Sequence, residues 1–307
     1  MDLNEIFGGK SITESSKRLY IANLTRLSGE PIKTLKFLSD VDSIKEKLDK
    51  YKPNTQRSYI ISIVSLLKSL KEKQPKKYGK LYDSYYQILE GMNKTLKDQT
   101  SKTDIEKASW IGQDKVRERF DAQLKVVDDF KDKKKLTSEE HDKLLHLLVL
   151  SLFVLQKPRR NKDYQEMFVT KKHKPELGTE KNFVDLFKNE FIFNAYKTRG
   201  KYAAQTVSIN PQLRDILDLY LKHHPLKTKL KDGIIPLLVD AQGEPFTQTN
   251  SLTRILNKIF GMKVGSSMLR KLYLTDKYGD VMKQMKEDTT EMGTSSGTAQ
   301  TNSIKKE

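Results

Sequence analysis

Hydrophobic residues recur at helical spacing through the first hundred residues of the chain. Helices are predicted over residues 11–26, from Pro53 onward and over residues 78–96, each with an apolar stripe beside Lys and Arg. Residues 97–107 contain almost no apolar anchor, which indicates a linker, and we place the linker at residues 97–112. The pattern therefore predicts a small basic helical domain over residues 1–96.

The second half of the chain has a mixed pattern. Helices are predicted over residues 114–130 and from a capping box of Thr137 and Glu140 to about residue 156. Three short runs rich in Phe, Ile and Val then predict a three-stranded antiparallel sheet: 166–170, 190–194 and 205–209. Helices return in four places: 212–222, 247–260, 266–278 and 281–292. The expected fold is mainly α with a small antiparallel sheet, an α+β domain over residues 113–307.

The net charge of the chain indicates what kind of partner it binds. The 307 residues include 57 Lys and Arg against 40 Asp and Glu, a formal net charge of +17. Such a chain favours polyanions through counterion release, although lysines also keep helical surfaces soluble. There is no cysteine, and no two of the five histidines have the spacing of a helical zinc site. The longest apolar run is too short to span a bilayer and no signal peptide is apparent, so we expect no membrane partner and a cytoplasmic or nuclear, not secreted, protein.

Two segments with candidate chemistry lie near the predicted sheet. Segment 158–164, Pro-Arg-Arg-Asn-Lys-Asp-Tyr, offers Arg160 with an acidic residue three positions later, and Arg159 as the alternative. Considered alone, two arginines at a helix end would more often compensate the helix dipole. The turn between the second and third predicted strands offers Lys197 and, next best, Lys201.

Two further segments lie near the end of the chain. In the segment Ser-Met-Leu-Arg, Ser267 precedes Arg270 by three positions at the start of a predicted helix. The segment Met-Gly-Thr-Ser-Ser-Gly begins at Met292, and Ser303 lies nine positions after Thr294.

In order and spacing, these four segments resemble the catalytic domain of the tyrosine recombinases, the phage integrase-type family, and the last one resembles integrases of large DNA viruses and their mobile elements. The resemblance implies that Arg160 and Arg270 bind the non-bridging oxygens of the scissile phosphate and that Lys197 protonates the leaving oxygen. It places a His or Lys at Ser267 and a histidine at Thr294. The family's nucleophilic tyrosine, which forms a 3′-phosphotyrosyl intermediate, would stand at Ser303.

The resemblance also implies partners. It predicts duplex DNA as the substrate for strand breakage and rejoining, no metal ion or other cofactor, a core-binding type of N-terminal domain, and a homo-oligomer that is a dimer on one site and a tetramer in a synapse. Eight cations are candidate DNA contacts: Lys17, Arg18, Arg26, Arg57, Lys68, Arg159, Lys201 and Arg254.

The residue at position 303 limits the expected chemistry. The hydroxyl of Ser303 is less acidic than a phenol and lies on a shorter side chain, so this sequence is expected to bind DNA without forming the covalent intermediate. One alternative is a non-catalytic DNA-binding protein on a degenerate recombinase fold. Another is a basic helical scaffold or membrane-surface protein in which Arg160 and Arg270 form structural salt bridges.

Overall fold

The computed structural model describes residues 2–8, 12–98 and 110–303. The chain divides into two compact units, residues 1–103 and residues 104–307. Most of the predicted linker, residues 99–109, lies outside the described residues.

The first unit consists of helices. Their bounds are α1 Leu3–Gly8, α2 Glu14–Ser28, α3 Val41–Asp49, α4 Pro53–Lys73 and α5 Pro75–Asp98, with a 3₁₀ turn at Lys36–Leu38. α2 begins after Thr13, whose hydroxyl accepts a hydrogen bond from the Ser16 amide, and ends at Gly29 in the left-handed conformation. The short helices α1 and α3 were not predicted, because six and nine residues carry too few apolar positions to establish a period.

Helix α4 supplies the centre of this unit. Its predicted stripe is buried, with Ile60, Ile63 and Leu67 almost inaccessible to solvent. α5 returns antiparallel against it, and the hydroxyl of buried Tyr85 donates a 2.9 Å hydrogen bond to the Leu38 carbonyl. Burial of such side chains stabilises the unit by about 1.5–3 kcal/mol each.

The second unit contains a five-stranded mixed sheet, not the expected three-stranded antiparallel one. The strands are β1 Met167–Thr170, β2 Asn182–Asp185, β3 Glu190–Phe193, β4 Gln205–Ser208 and β5 Ile235–Pro236, in the spatial order β4-β3-β2-β1-β5. β1 and β2 are parallel, and the other neighbouring pairs are antiparallel. The sequence did not predict β2 or β5. β2 has only two apolar residues, Phe183 and Val184, between polar ends, and β5 has only two residues in all, so neither shows alternation.

Helices make up most of the rest of this unit, and the protein is mainly helical with a small mixed sheet, which is consistent with an α+β fold. They are α6 Gln113–Val127, α7 Ser138–Val154, α8 Asn161–Gln165, α9 Arg199–Tyr202, α10 Pro211–Lys222, α11 Ser251–Phe260, α12 Ser266–Glu291 and α13 Ser296–Ser303. The capping box at the start of α7 is formed, with Thr137 and Glu140 each accepting from the other's backbone amide. α7 is buried along most of its length.

Helix α12 is continuous where the sequence predicts two helices. The expected break at residues 279–280 does not occur, because Gly279 costs a helix interior only about 1 kcal/mol and good helix formers follow it. The continuous helix leaves Leu274, Val281 and Met282 about half or more exposed. Among the described residues, no helix has both the length and the apolar character that crossing a membrane requires.

Stability should depend on pH through His224. This side chain is buried; its Nδ1 accepts from the Leu226 amide at 3.0 Å, so Nε2 carries the proton and donates to the Pro236 carbonyl at 3.1 Å. Burial lowers the pKa of His224 to about 4. The unfolded chain, whose histidine pKa is about 6.5, therefore takes up the proton first as the pH falls.

We expect the free energy of unfolding to decrease by roughly 2 kcal/mol from this group between about pH 6.5 and pH 5. Urea unfolding of the native chain and of His224→Gln at neutral and mildly acidic pH measures the difference. A pH dependence as steep in the variant as in the native chain would contradict the assignment.

Candidate functional site

A cleft of about 240 Å³ lies at one edge of the sheet in the second unit. It is formed by the segment between α7 and α8, the connection between β3 and β4, and the first turns of α12. Its lining residues are Pro158, Arg159, Arg160, Asp163, Tyr196, Thr198, Tyr202, Gln205 and Arg270. Among these described residues, three guanidinium groups face a single carboxylate, which leaves the cleft strongly positive.

Arg160 lies at the N-terminus of α8. Its backbone is extended, and its carbonyl accepts the Asp163 amide at 3.0 Å, which starts the helix. The side chain is partly buried. Its guanidinium has no hydrogen bond or ion pair with any other described residue, so its donors are available to a ligand.

Arg159 is instead held by the protein. Its Nε lies 3.0 Å from a carboxylate oxygen of buried Asp163, and its Nη1 donates to Gln205 at 2.7 Å. Its guanidinium carbon also lies 3.8 Å from the centroid of the Phe193 ring and 4.7 Å from that of Tyr196. Of the two adjacent arginines, Arg159 is bound to the wall of the cleft, whereas the guanidinium of Arg160 is available to a ligand.

Buried Asn182 fixes the parts of this wall to each other. Its side-chain amide donates to the carbonyls of Asp163 and Ala195, both at 2.9 Å, and its oxygen accepts from the amides of Asn194 and Ala195. One side chain therefore ties α8 to the end of β3, and its four hydrogen bonds restrict the geometry of the cleft.

Arg270 enters the cleft from α12. Leu269 and Leu272 beside it are buried and anchor the start of the helix, while Arg270 itself is partly buried. Like Arg160, it has no ion pair with a carboxylate in the described part of the chain. Ser267 is exposed one helical turn earlier and does not line the cleft.

The predicted lysines lie at the rim. Lys197 is exposed between two lining residues, Tyr196 and Thr198. Lys201 is exposed on the short helix α9, which replaces the simple turn expected here, and its ammonium lies 5.2 Å from the centroid of the Tyr202 ring. Both can approach a large ligand, but neither is part of the cleft wall.

The structure does not bring Thr294 to this cleft. From Arg270 to Glu291, α12 extends about 30 Å at roughly 1.5 Å per residue. The Thr294 amide bonds the Thr289 carbonyl at 2.9 Å, which anchors it to the far end of that helix, and Ser303 is the last residue of α13 beyond it. The expected convergence with the arginines fails because the predicted helix break is missing.

The sequence did not identify Tyr196, Tyr202 and Gln205 as lining residues, and it did not identify Asn182 as their organiser. An aromatic or amide residue in a strand or connection has no spacing that distinguishes it from an ordinary surface residue. The one available signal was Asp163, four residues after Arg159, which is the separation of an ion pair on a helical turn.

The remaining candidate DNA contacts are spread over both units. The Nε of Arg57 donates a 2.6 Å hydrogen bond to the side-chain oxygen of Asn93, and the ammonium of Lys17 lies 3.9 Å from a carboxylate oxygen of Glu14. The other four of these candidate DNA contacts are exposed: Arg18, Arg26, Lys68 and Arg254.

Comparisons of this chain with family models, with curated proteins and with solved structures find no match. The relationship to tyrosine recombinases therefore stays an expectation that depends on the four sequence segments. Within the described residues, no three His, Cys, Asp or Glu side chains converge as they would at a metal site.

The role of Asn182 can be measured directly. Asn182→Ala would remove the partner of four backbone groups, two of them buried and two partly buried, so we expect a loss of about 3 kcal/mol or more in the free energy of unfolding by urea. Asn161→Ala is the matched control, because its side chain donates one bond, to Thr253, and should cost about 1 kcal/mol. Equal losses in both variants would refute the organising role.

Proposed function

We propose that this chain is a duplex DNA-binding protein of the tyrosine recombinase type, in which Arg160 and Arg270 together bind one backbone phosphate. The observation that supports the proposal is their shared cleft: two arginines far apart in sequence line it, and neither is neutralised by a carboxylate among the described residues. A planar guanidinium can donate two parallel hydrogen bonds to phosphate oxygens, which suits this task better than an ammonium group.

The surroundings of the two arginines favour a polymeric phosphate ligand. The cleft is open and polar, and Lys197 and Lys201 stand exposed at its rim, where they could contact neighbouring phosphates. In an active recombinase, arginines in these positions would stabilise the charge that develops on the phosphate oxygens during strand cleavage. A lysine such as Lys197 would then protonate the leaving oxygen.

For this particular sequence we propose binding without strand cleavage. Residue 303 is a serine, and the far end of α12 lies about 30 Å from Arg270. This separation favours the non-catalytic alternative, a DNA-binding protein on a recombinase-type fold. A dimer on each site, a tetramer in a synapse and residence in the cytoplasm or nucleus are the corresponding proposals for assembly and location.

The binding of one phosphate by both Arg160 and Arg270, the phosphate clamp, predicts a change in the salt dependence of DNA binding. Arg160→Gln with Arg270→Gln should weaken binding to a duplex by roughly tenfold or more and reduce the slope of log K against log salt by about 1. Lys283→Gln with Lys286→Gln removes the same charge from the exposed distal part of α12 and serves as the control. A control that loses as much affinity and slope as the arginine pair would exclude a specific clamp.

The absence of cleavage is tested with a nicked suicide duplex, which traps covalent protein–DNA adducts. We expect this chain to retain the duplex in a mobility-shift assay and to yield no adduct on a denaturing gel, because residue 303 is a serine where the family has its nucleophilic tyrosine. An adduct formed by the unmodified sequence would contradict the prediction.

A further inference from the structure

A second cationic cleft, of about 230 Å³, lies within the first unit where the end of α2 meets α3 and the start of α4. Its charged and aromatic lining residues are Arg26, Lys47, Lys50, Tyr51 and Tyr59, beside the turn at Gly29. We propose that this cleft is a binding site for a phosphate group, as a monoester or as a diester.

The positive charge in this cleft is larger than the negative charge of the helix C-terminus beside it. Arg26 lies in the last turn of α2, and the Lys47 ammonium is 3.4 Å from the Leu27 carbonyl, so both compensate the helix C-terminus. That terminus carries only about half a negative charge. Three cations therefore remain largely unneutralised, and none of them has an ion pair in the described part of the chain.

Neighbouring carboxylates do not correct the imbalance. Glu30, Glu46 and Asp49 are close in sequence, but none of them lines the cleft. The Lys50 ammonium lies 5.4 Å from the centroid of the Tyr51 ring, a contact that positions the cation without neutralising it. An anion placed between these groups would relieve their mutual repulsion.

Two tyrosines add hydrogen-bonding capacity to the cations. The Tyr51 and Tyr59 rings are stacked, with centroids 5.1 Å apart, and Tyr59 is almost fully buried. Burial, together with a hydrogen bond to Tyr51, raises the pKa of Tyr59 against the opposing effect of Arg26, so its hydroxyl stays protonated. Phosphate oxygens can accept from ammonium, guanidinium and phenol donors at once.

The turn after α2 leaves an open approach. Gly29 has a φ of 77° and no neighbouring atom within 4 Å of an added Cβ, so the backbone there is accessible. A volume of about 230 Å³ exceeds that of a single water, about 30 Å³, several-fold, which gives room for a phosphate and its ester carbons.

The phosphate could come from a nucleic-acid backbone or from a small phosphorylated molecule. If the phosphate belongs to a nucleic-acid backbone, the inference rests on the proposed DNA-binding function. Binding of phosphate by this cleft does not rest on that function. The experiment therefore uses inorganic phosphate and a short DNA duplex as separate probes.

The test follows the Gly29 amide in the full chain labelled with ¹⁵N-glycine, its signal identified by Gly29→Asn, since asparagine tolerates the left-handed conformation. Titration with inorganic phosphate at constant ionic strength should shift this signal with saturation. Lys47→Gln with Lys50→Gln should weaken binding roughly tenfold. The control pair is Lys76→Gln with Lys80→Gln, exposed on the first turns of α5 at the opposite end of α4, and it should bind like the native chain.

The outcomes test the phosphate site independently of the DNA-binding proposal. A saturable shift with both probes assigns the cleft to a DNA phosphate, and a shift with phosphate alone assigns it to a small phosphorylated ligand. Either result supports a phosphate site, even if the duplex fails to bind anywhere. No shift with phosphate, or equal weakening in the control pair, overturns it.

Discussion

The ion pair between partly buried Arg159 and buried Asp163 determines which cation of the sheet-edge cleft can take a ligand. Asp163 neutralises Arg159 at 3.0 Å, and Gln205 and two aromatic rings complete its surroundings. Among the described residues that line the cleft, Asp163 is the one carboxylate, and because it is used in this way, Arg160 keeps its donors. Burying such a pair is favourable only with good geometry and further hydrogen bonds, which these contacts provide.

A second constraint links this pair to the sheet. Asn182 bonds the backbone of Asp163 and of the segment after β3, so the position of Arg160 depends on a strand that joins the sheet in parallel with β1. The mixed topology thus positions the cleft wall. A purely antiparallel sheet without β2 would have no residue in the place of Asn182.

The sequence was informative where a period or a cap existed. The stripe on α4 and the capping box before α7 both follow from local patterns. The strands β2 and β5 and the roles of Asn182 and Gln205 depend on contacts between distant residues, which no local pattern encodes. The break expected in α12 failed because a single glycine is a weak helix terminator without a cap or a proline.

A double-mutant cycle on Arg160 and Arg270 tests most directly whether the two share one phosphate. Duplex affinity is measured for the native chain, for each single Gln variant and for the double variant at one salt concentration. The shared phosphate predicts a coupling free energy of at least about 0.5 kcal/mol between the two positions. Losses that add within about 0.3 kcal/mol would mean that the two arginines act independently, and the clamp would be wrong.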